Sequence, residues 1–270
     1  MSDRANQNID RAPERNDVSK AKRERYRSSD FGSRYDSRYR GGINRLNTEV
    51  ERKWIASQMA SGAVLDAGAG TGRFSSHLAE LGHNVIALDS SAGMLAELKH
   101  KSPQVETLLG DIYNLPFAKP EFDTVVCMHV LFHLPDWDKV IGVLAGVLKP
   151  GGTIFFEMRS TEHVAAFGGI ARKLGLLKRE REMTDPSSAT VHATTGRVTE
   201  VLASCGVALE HTLRYDIPHS YWFRPLSAPA ELLLRKSSVA RGLFSRLELS
   251  LGQLLPATAA YRTLYMGRKR

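Results

Sequence analysis

An α/β fold, in which helices cover both faces of a parallel sheet, is predicted by three features of the chain. Apolar strand-like runs alternate with helix-like periodic segments up to Met158. The first run, Val64-Leu65-Asp66, passes through the small-residue turn Ala67-Gly68-Ala69-Gly70-Thr71-Gly72 into a helical pattern. That order describes a buried strand, a tight turn and a helix whose N-terminus faces a ligand. The second run, over residues 83–89, ends in the acid Asp89. Ligands of open parallel sheets lie beyond the carboxyl ends of the strands, where Gly68, Gly70, Gly72, Asp89, Asp111, Met128 and His129 gather in this scheme.

The glycine spacing narrows the class of ligand. A dinucleotide fingerprint needs Gly-x-Gly-x-x-Gly, but Arg73 stands at its third glycine, which disfavours a nicotinamide oxidoreductase. The Gly-Lys-Ser/Thr of a phosphate-binding loop is missing as well. A purely structural turn is the competing reading. Asp89 has two readings of its own. It accepts both hydroxyls of a ribose, or it caps the helix expected over residues 90–101.

The remaining elements follow in order. A helix is expected over residues 43–59 and stops at Ser61-Gly62. The helix over 73–81 places Phe74, Leu78 and Leu81 on one face and ends at Gly82. Beyond the fifth strand, residues 159–190 read as an insertion with a basic helix-like stretch at 171–183. A helix over 194–204 and a strand over 207–215 then return to the core.

Several further motifs stand at consistent spacing: Leu108-Leu109-Gly110-Asp111-Ile112, Glu121-Phe122-Asp123-Thr124-Val125-Val126-Cys127-Met128-His129, Val130-Leu131-Phe132-His133-Leu134-Pro135-Asp136 and Val147-Leu148-Lys149-Pro150-Gly151-Gly152. Together with the glycine turn and Asp89, they resemble the class I S-adenosylmethionine-dependent methyltransferases. The resemblance is to the branch acting on quinones, sterols and secondary metabolites. It covers residues 43–159 well and 190–215 loosely. It implies a Rossmann-like, doubly wound, seven-stranded sheet, mostly parallel with an antiparallel last strand, and helical insertions forming a cap. Residues 261–266 are the best candidate for that last strand.

The resemblance also implies a cofactor, S-adenosyl-L-methionine, and a set of contacts. Asp66, Gly68, Ala69, Gly70 and Gly72 form the first motif, and Asp89, Ser90 and Met94 the second. Asp111 and Ile112 hold the adenine, and Met128 and His129 line the methionine end. Methyl transfer from a sulfonium is an in-line displacement, so a base is needed only when the acceptor must lose a proton. His133 and His129 are the nearest catalytic candidates, each with a structural role as the alternative. His163, His192, His211 and His219 lie in substrate-side segments, and nothing in the sequence selects among them. No metal site is expected.

Length and charge set the organisation. The 270 residues carry a net charge of +8, distributed as +5 over residues 1–60, −4 over 61–216 and +7 over 217–270. The expected divisions are a polar, disordered segment over 1–25, a lid and helix over 26–60, the cofactor-binding core over 61–216, and a helical insertion over 218–256 followed by the last strand. Cys127 and Cys205 form neither a metal spacing nor a disulfide framework, and Cys127 reads as core. With no apolar signal core and no membrane-length run, a cytoplasmic, unanchored protein is expected.

Two segments bear on the acceptor. Tyr35 and Tyr39, interleaved with arginines, stand where the resemblance implies a lid over the cofactor, while the interleaving itself suits single-stranded nucleic acid as the alternative ligand. The insertion opens with Tyr221-Trp222, counted here as substrate or lid residues, and continues as a basic, leucine-rich stretch. That stretch packs on the core as a substrate cap or lies on an anionic membrane surface. The leading expectation is methyl transfer to oxygen, nitrogen or carbon of a small metabolite, lipophilic in one reading. The alternatives are an RNA or protein methyltransferase using the basic termini and a non-catalytic S-adenosylmethionine-binding scaffold.

Overall fold

The computed structural model describes residues 35–173, 190–217 and 226–270. Helix α1 (Gly42–Gln58) follows a short 3-10 turn over Asp36–Arg40 and buries Ile43, Leu46, Val50 and Trp54 on one face. Strand β1 (Ala63–Ala67), helix α2 (Ser75–Glu80), strand β2 (Asn84–Asp89), helix α3 (Ala92–Lys101) and strand β3 (Glu106–Leu109) follow. Strand β4 (Phe122–Cys127), helix α4 (Trp137–Gly146) and strand β5 (Leu148–Ser160) complete the parallel run. After them come helix α5 (Thr161–Lys173), strand β6 (His192–Ala193), helix α6 (Thr195–Ser204), strand β7 (Val207–Tyr215), helices α7 (Ser227–Lys236) and α8 (Ser238–Leu251), and strand β8 (Arg262–Lys269).

One sheet joins them in the order β3-β2-β1-β4-β5-β8-β7, with β6 pairing to β5 off this path. Strand β8 runs antiparallel to both β5 and β7, and the other pairings are parallel. Side-chain alternation along the strands fills two cores. Leu65, Val125, Ile154 and Phe156 face α4 and α6. Val64, Val126 and Phe155 face α1, α2 and α3. Burial on both faces is why these strands read as unbroken apolar runs. Cys127 is fully buried, and burial pushes its thiol up, out of the reactive range.

The sheet has eight strands, not the expected seven. The addition is His192–Ala193, two residues that extend the sheet beside Arg159 and Ser160 and are too short to show a period of two. Helix α5 opens at Thr161, where Ser160 Oγ accepts the His163 amide hydrogen at 3.0 Å, and most of the helix-like stretch expected over 171–183 lies outside the described residues. Ser91 caps α3 by accepting the Met94 amide, which removes the capping alternative for Asp89. Helices α7 and α8 lie against α1: the Glu231 carboxylate accepts the Gly42 and Ile43 amides at 2.6 and 2.8 Å, capping the open N-terminus of α1. Among the described residues, no helix is long and apolar enough to cross a membrane.

Glu248 on α8 carries a pH dependence. Its two carboxylate oxygens accept the Asp216 and Ile217 amides, but burial, with Asp216 adding to it, raises the carboxyl from the ordinary 4.5 to about 8. A raised folded value means that this group's stabilisation is complete below pH 4.5 and is lost as pH rises through 8. Unfolding free energy should therefore fall between pH 6.5 and 8.5, approaching about 1 kcal/mol per pH unit. Urea titrations across that range check it, with Glu248→Gln expected to flatten the slope. An equal slope in both proteins would assign the dependence elsewhere.

Candidate functional site

The glycine turn is built by three different constraints. The Gly68 and Ala69 amides both donate to the Leu88 carbonyl, at 2.7 and 3.0 Å, tying the end of β1 to the end of β2. Gly72 has φ +82°, and a Cβ there would stand 2.1 Å from Leu98 of α3. It is a packing glycine. Gly70, at φ +56°, faces open space, with Tyr35 3.9 Å from where its Cβ would be. That leaves main chain exposed for a ligand to approach.

Asp89 stands beside Gly70. Its Oδ2 accepts the Gly70 amide at 2.8 Å and its Oδ1 the Ser91 amide at 2.9 Å, so each oxygen keeps acceptor capacity toward the solvent side. Burial raises this carboxyl above its ordinary value, and the three amides of Ser91, Gly70 and Ser90 oppose that rise. Asp66 is buried in β1 and takes the Ser75 hydroxyl at 2.5 Å; burial raises it to about 6. Its contacts fix the start of α2.

These elements enclose a cleft of about 130 Å³, open to solvent at its mouth. Of the expected site residues, Gly68, Gly70, Asp89, Ser90, Met94, Asp111, Ile112, His129, His133 and Tyr35 line it. Asp66, Ala69, Gly72, Met128 and Tyr39 do not. Tyr221 and Trp222 lie outside the described residues, as does His219. The wall also includes Leu88, Gly110, Tyr113, Val130 and Leu134, which the sequence reading left out. Tyr113 follows Asp111 and Ile112 directly, and its hydroxyl donates to Asp136 at 2.6 Å, so motif adjacency was the available signal.

The segment around Tyr35 packs over the glycine turn. Thr71 Oγ1 donates to Asp36 at 2.5 Å, Lys101 pairs with Asp36 at 2.6 Å, and the Arg73 guanidinium stacks 4.0 Å from the Tyr39 ring centre. The Tyr35 and Tyr39 hydroxyls are 3.1 Å apart.

Behind the cleft lies a buried ionic network that the sequence reading did not contain. His129 has φ +62°, and its Nε2 lies 2.8 Å from Glu51 while its Nδ1 lies 3.1 Å from Glu157. Arg73 reaches Glu51 at 3.5 Å and Arg159 reaches Glu157 at 3.1 Å. Arg262 joins Asp216 at 2.6 Å and extends its other arm to His129 Nδ1 at 3.3 Å. Burial alone would raise the two glutamates. The groups facing them, His129 and Arg73 for Glu51, and Arg159, His129 and Arg262 for Glu157, hold both below the usual carboxylate range. Asp216, the other non-glycine residue with positive φ (67°) among the described residues, belongs to the same network. Backbone strain of this kind persists where the surroundings over-determine it.

Of the substrate-side histidines, His163 holds the Thr258 carbonyl at 2.6 Å, His192 lies 3.3 Å from the Tyr261 hydroxyl, and His211 is exposed on β7. None of the three lines the cleft.

The family described as a methyltransferase domain matches residues 65–156, the stretch that builds this cleft. Residues 65–156 form a methyltransferase domain. Within it, 91 residues are 40% identical to a demethylmenaquinone methyltransferase of Renibacterium salmoninarum, covering 34% of this chain and 38% of that protein. A ubiquinone biosynthesis O-methyltransferase of Xanthomonas euvesicatoria is 36% identical over 105 residues, covering 37% and 44%. The chain thus spans less than half the length of these two relatives. The fold extends further than the sequence similarity. The magnesium protoporphyrin IX methyltransferase of Synechocystis, solved with S-adenosylhomocysteine bound, superposes with a TM-score of 0.60 at 16% identity, over 94% of this chain and 100% of that one.

The cleft of this methyltransferase domain suits S-adenosylmethionine on its own geometry. Open main chain at Gly70 stands next to a carboxylate with spare acceptor capacity, and Leu88, Met94, Ile112, Val130 and Leu134 offer apolar walls.

Proposed function

We propose that the chain transfers a methyl group from S-adenosylmethionine to an oxygen, nitrogen or carbon of a small, lipophilic acceptor. The observation that carries this reading is the convergence of the Gly70 main chain, the Asp89 carboxylate and the Asp111–Tyr113 wall on one apolar cleft. Quinone-directed relatives support the acceptor class.

In this reading Asp89 receives the ribose hydroxyls, and Asp111 and Ile112 flank the adenine. The main chain at Gly68 and Gly70 gives room to the methionine portion, and Tyr35 closes the mouth. The bound cofactor supplies an electrophilic methyl on a sulfonium, so the protein's task is to position the acceptor and exclude water. His129 holds its ring nitrogens toward two buried carboxylates and acts as a positioning residue at the cleft wall. His133, the other histidine on that wall, is the group placed to take a proton when the acceptor carries one.

Incubation with tritiated S-adenosylmethionine and parallel pools of demethylated quinones, porphyrins, RNA and protein tests the proposal. Label should enter the organic-extractable pool. Label confined to RNA or protein would overturn the small-molecule reading, and cofactor binding with transfer to no pool would favour a scaffold.

A further inference from the structure

Helix α8 is turned inside out for a surface helix. Its inward side holds Ser245 and Glu248, both buried, alongside Phe244 and Leu249. Its outward side presents Val239, Leu243, Leu247 and Leu251 at four-residue spacing, a single apolar ridge along the helix. Leu232 and Leu233 of the neighbouring α7 are exposed as well, and these six side chains are between 41% and 71% exposed. Scattered exposed leucines need no explanation, but a continuous ridge rimmed by charge does.

The rim has one sign. Arg235, Lys236 and Arg246 are exposed on the two helices. The two acids of α7 and α8, Glu231 and Glu248, both turn inward, onto the Gly42 and Ile43 amides and onto the Asp216 and Ile217 amides. The outer surface of the pair therefore offers leucines and cations and no carboxylate.

We infer that α7 and α8 form a docking surface for an anionic lipid bilayer, with the leucine ridge entering the headgroup boundary and Arg235, Lys236 and Arg246 on the lipid phosphates. An apolar face flanked by cations is the chemistry of an interfacial helix. A second copy of the chain fits less well, because a two-fold contact through this face would set the three cations against their own counterparts. The surface is separate from the cleft, whose described lining includes no residue of α7 or α8, and the inference stands whatever the acceptor is.

Flotation of the full-length protein with phosphatidylglycerol–phosphatidylcholine vesicles, and with phosphatidylcholine vesicles alone, tests it. Binding is expected to the anionic vesicles only and to weaken with salt. The triple change Arg235→Glu, Lys236→Glu, Arg246→Glu should lower partition on the order of 100-fold. Leu243→Ser with Leu247→Ser should release the protein even at low salt. Calorimetric S-adenosylmethionine affinity, unchanged in both variants, shows that they remain folded. Three outcomes overturn the proposal: no binding to anionic vesicles, binding that neither variant alters, or a dimer in sedimentation that the leucine variant converts to monomer.

Discussion

Replacing Asp89 with alanine should weaken S-adenosylmethionine binding about 100- to 1,000-fold while leaving a folded protein. In the proposed role the carboxylate accepts two ribose hydroxyls, and a hydrogen bond to a charged group contributes about 1.5–3 kcal/mol. Two of them lost amount to about 3–6 kcal/mol, roughly 150- to 25,000-fold in the dissociation constant, and the expected loss lies toward the lower end because water takes the place of the carboxylate. The same carboxylate also accepts the Gly70 and Ser91 amides, so the substitution loosens the glycine turn on which the cofactor would rest. Asp89→Asn keeps the size of the side chain but not both acceptors. Its amide oxygen can serve one backbone donor, but its NH₂ group faces the other, so it should bind poorly as well. Titration calorimetry at a temperature where circular dichroism shows both variants folded is the measurement. An affinity within about threefold of the parent would exclude Asp89 from the ribose role.

The reach of the sequence differs between the cleft and what lies behind it. Gly68, Gly70 and Asp89 were legible because backbone angle, close approach and acceptor chemistry act through a few adjacent residues, Asp111 and Ile112 were legible only through the family resemblance, and all five line the cleft. Gly72 was legible as a glycine but not as a packing contact, since its constraint comes from Leu98, 26 positions away in the chain. The eighth strand was hidden because two residues carry no periodicity. The ionic network was hidden for a different reason. Glu51 sits on the apolar face of α1 and Glu157 directly after the run Thr153-Ile154-Phe155-Phe156, and each is a charge at an inward position. Such a residue announces that a partner exists without saying where. Its partners, Arg73, Arg159 and Arg262, come from three separate elements.

That network sets the second large expectation. Arg262→Met should destabilise the protein by about 3–5 kcal/mol, the cost of leaving a buried carboxylate without its partner. Burial disfavours the guanidinium charge, yet Asp216 and Glu157 more than offset it and hold Arg262 well above its ordinary value. Without the arginine, Asp216 retains the Asn47 side-chain amide at 2.8 Å, and Glu157 retains Arg159 and His129. Against a typical total of about 5–15 kcal/mol, the loss is a large fraction of the fold's margin. Arg262→Lys keeps the charge but not the fork that serves Asp216 and His129 together, so it should recover part of the loss. Acid sensitivity should change in step. Glu51 and Glu157 have depressed folded values, so their stabilisation is present above the ordinary 4.5 and lost as pH falls through those values. Removing Arg262 lessens the depression of Glu157 and should move acid unfolding to higher pH. The positive-φ backbone at His129 relies on the same contacts, so the cleft wall should loosen and cofactor affinity should fall more in Arg262→Met than in Arg262→Lys. Urea midpoints at pH 7 and pH 4, measured for both variants, decide it: a loss below about 1 kcal/mol would mean the network's charges are solvated in the folded protein.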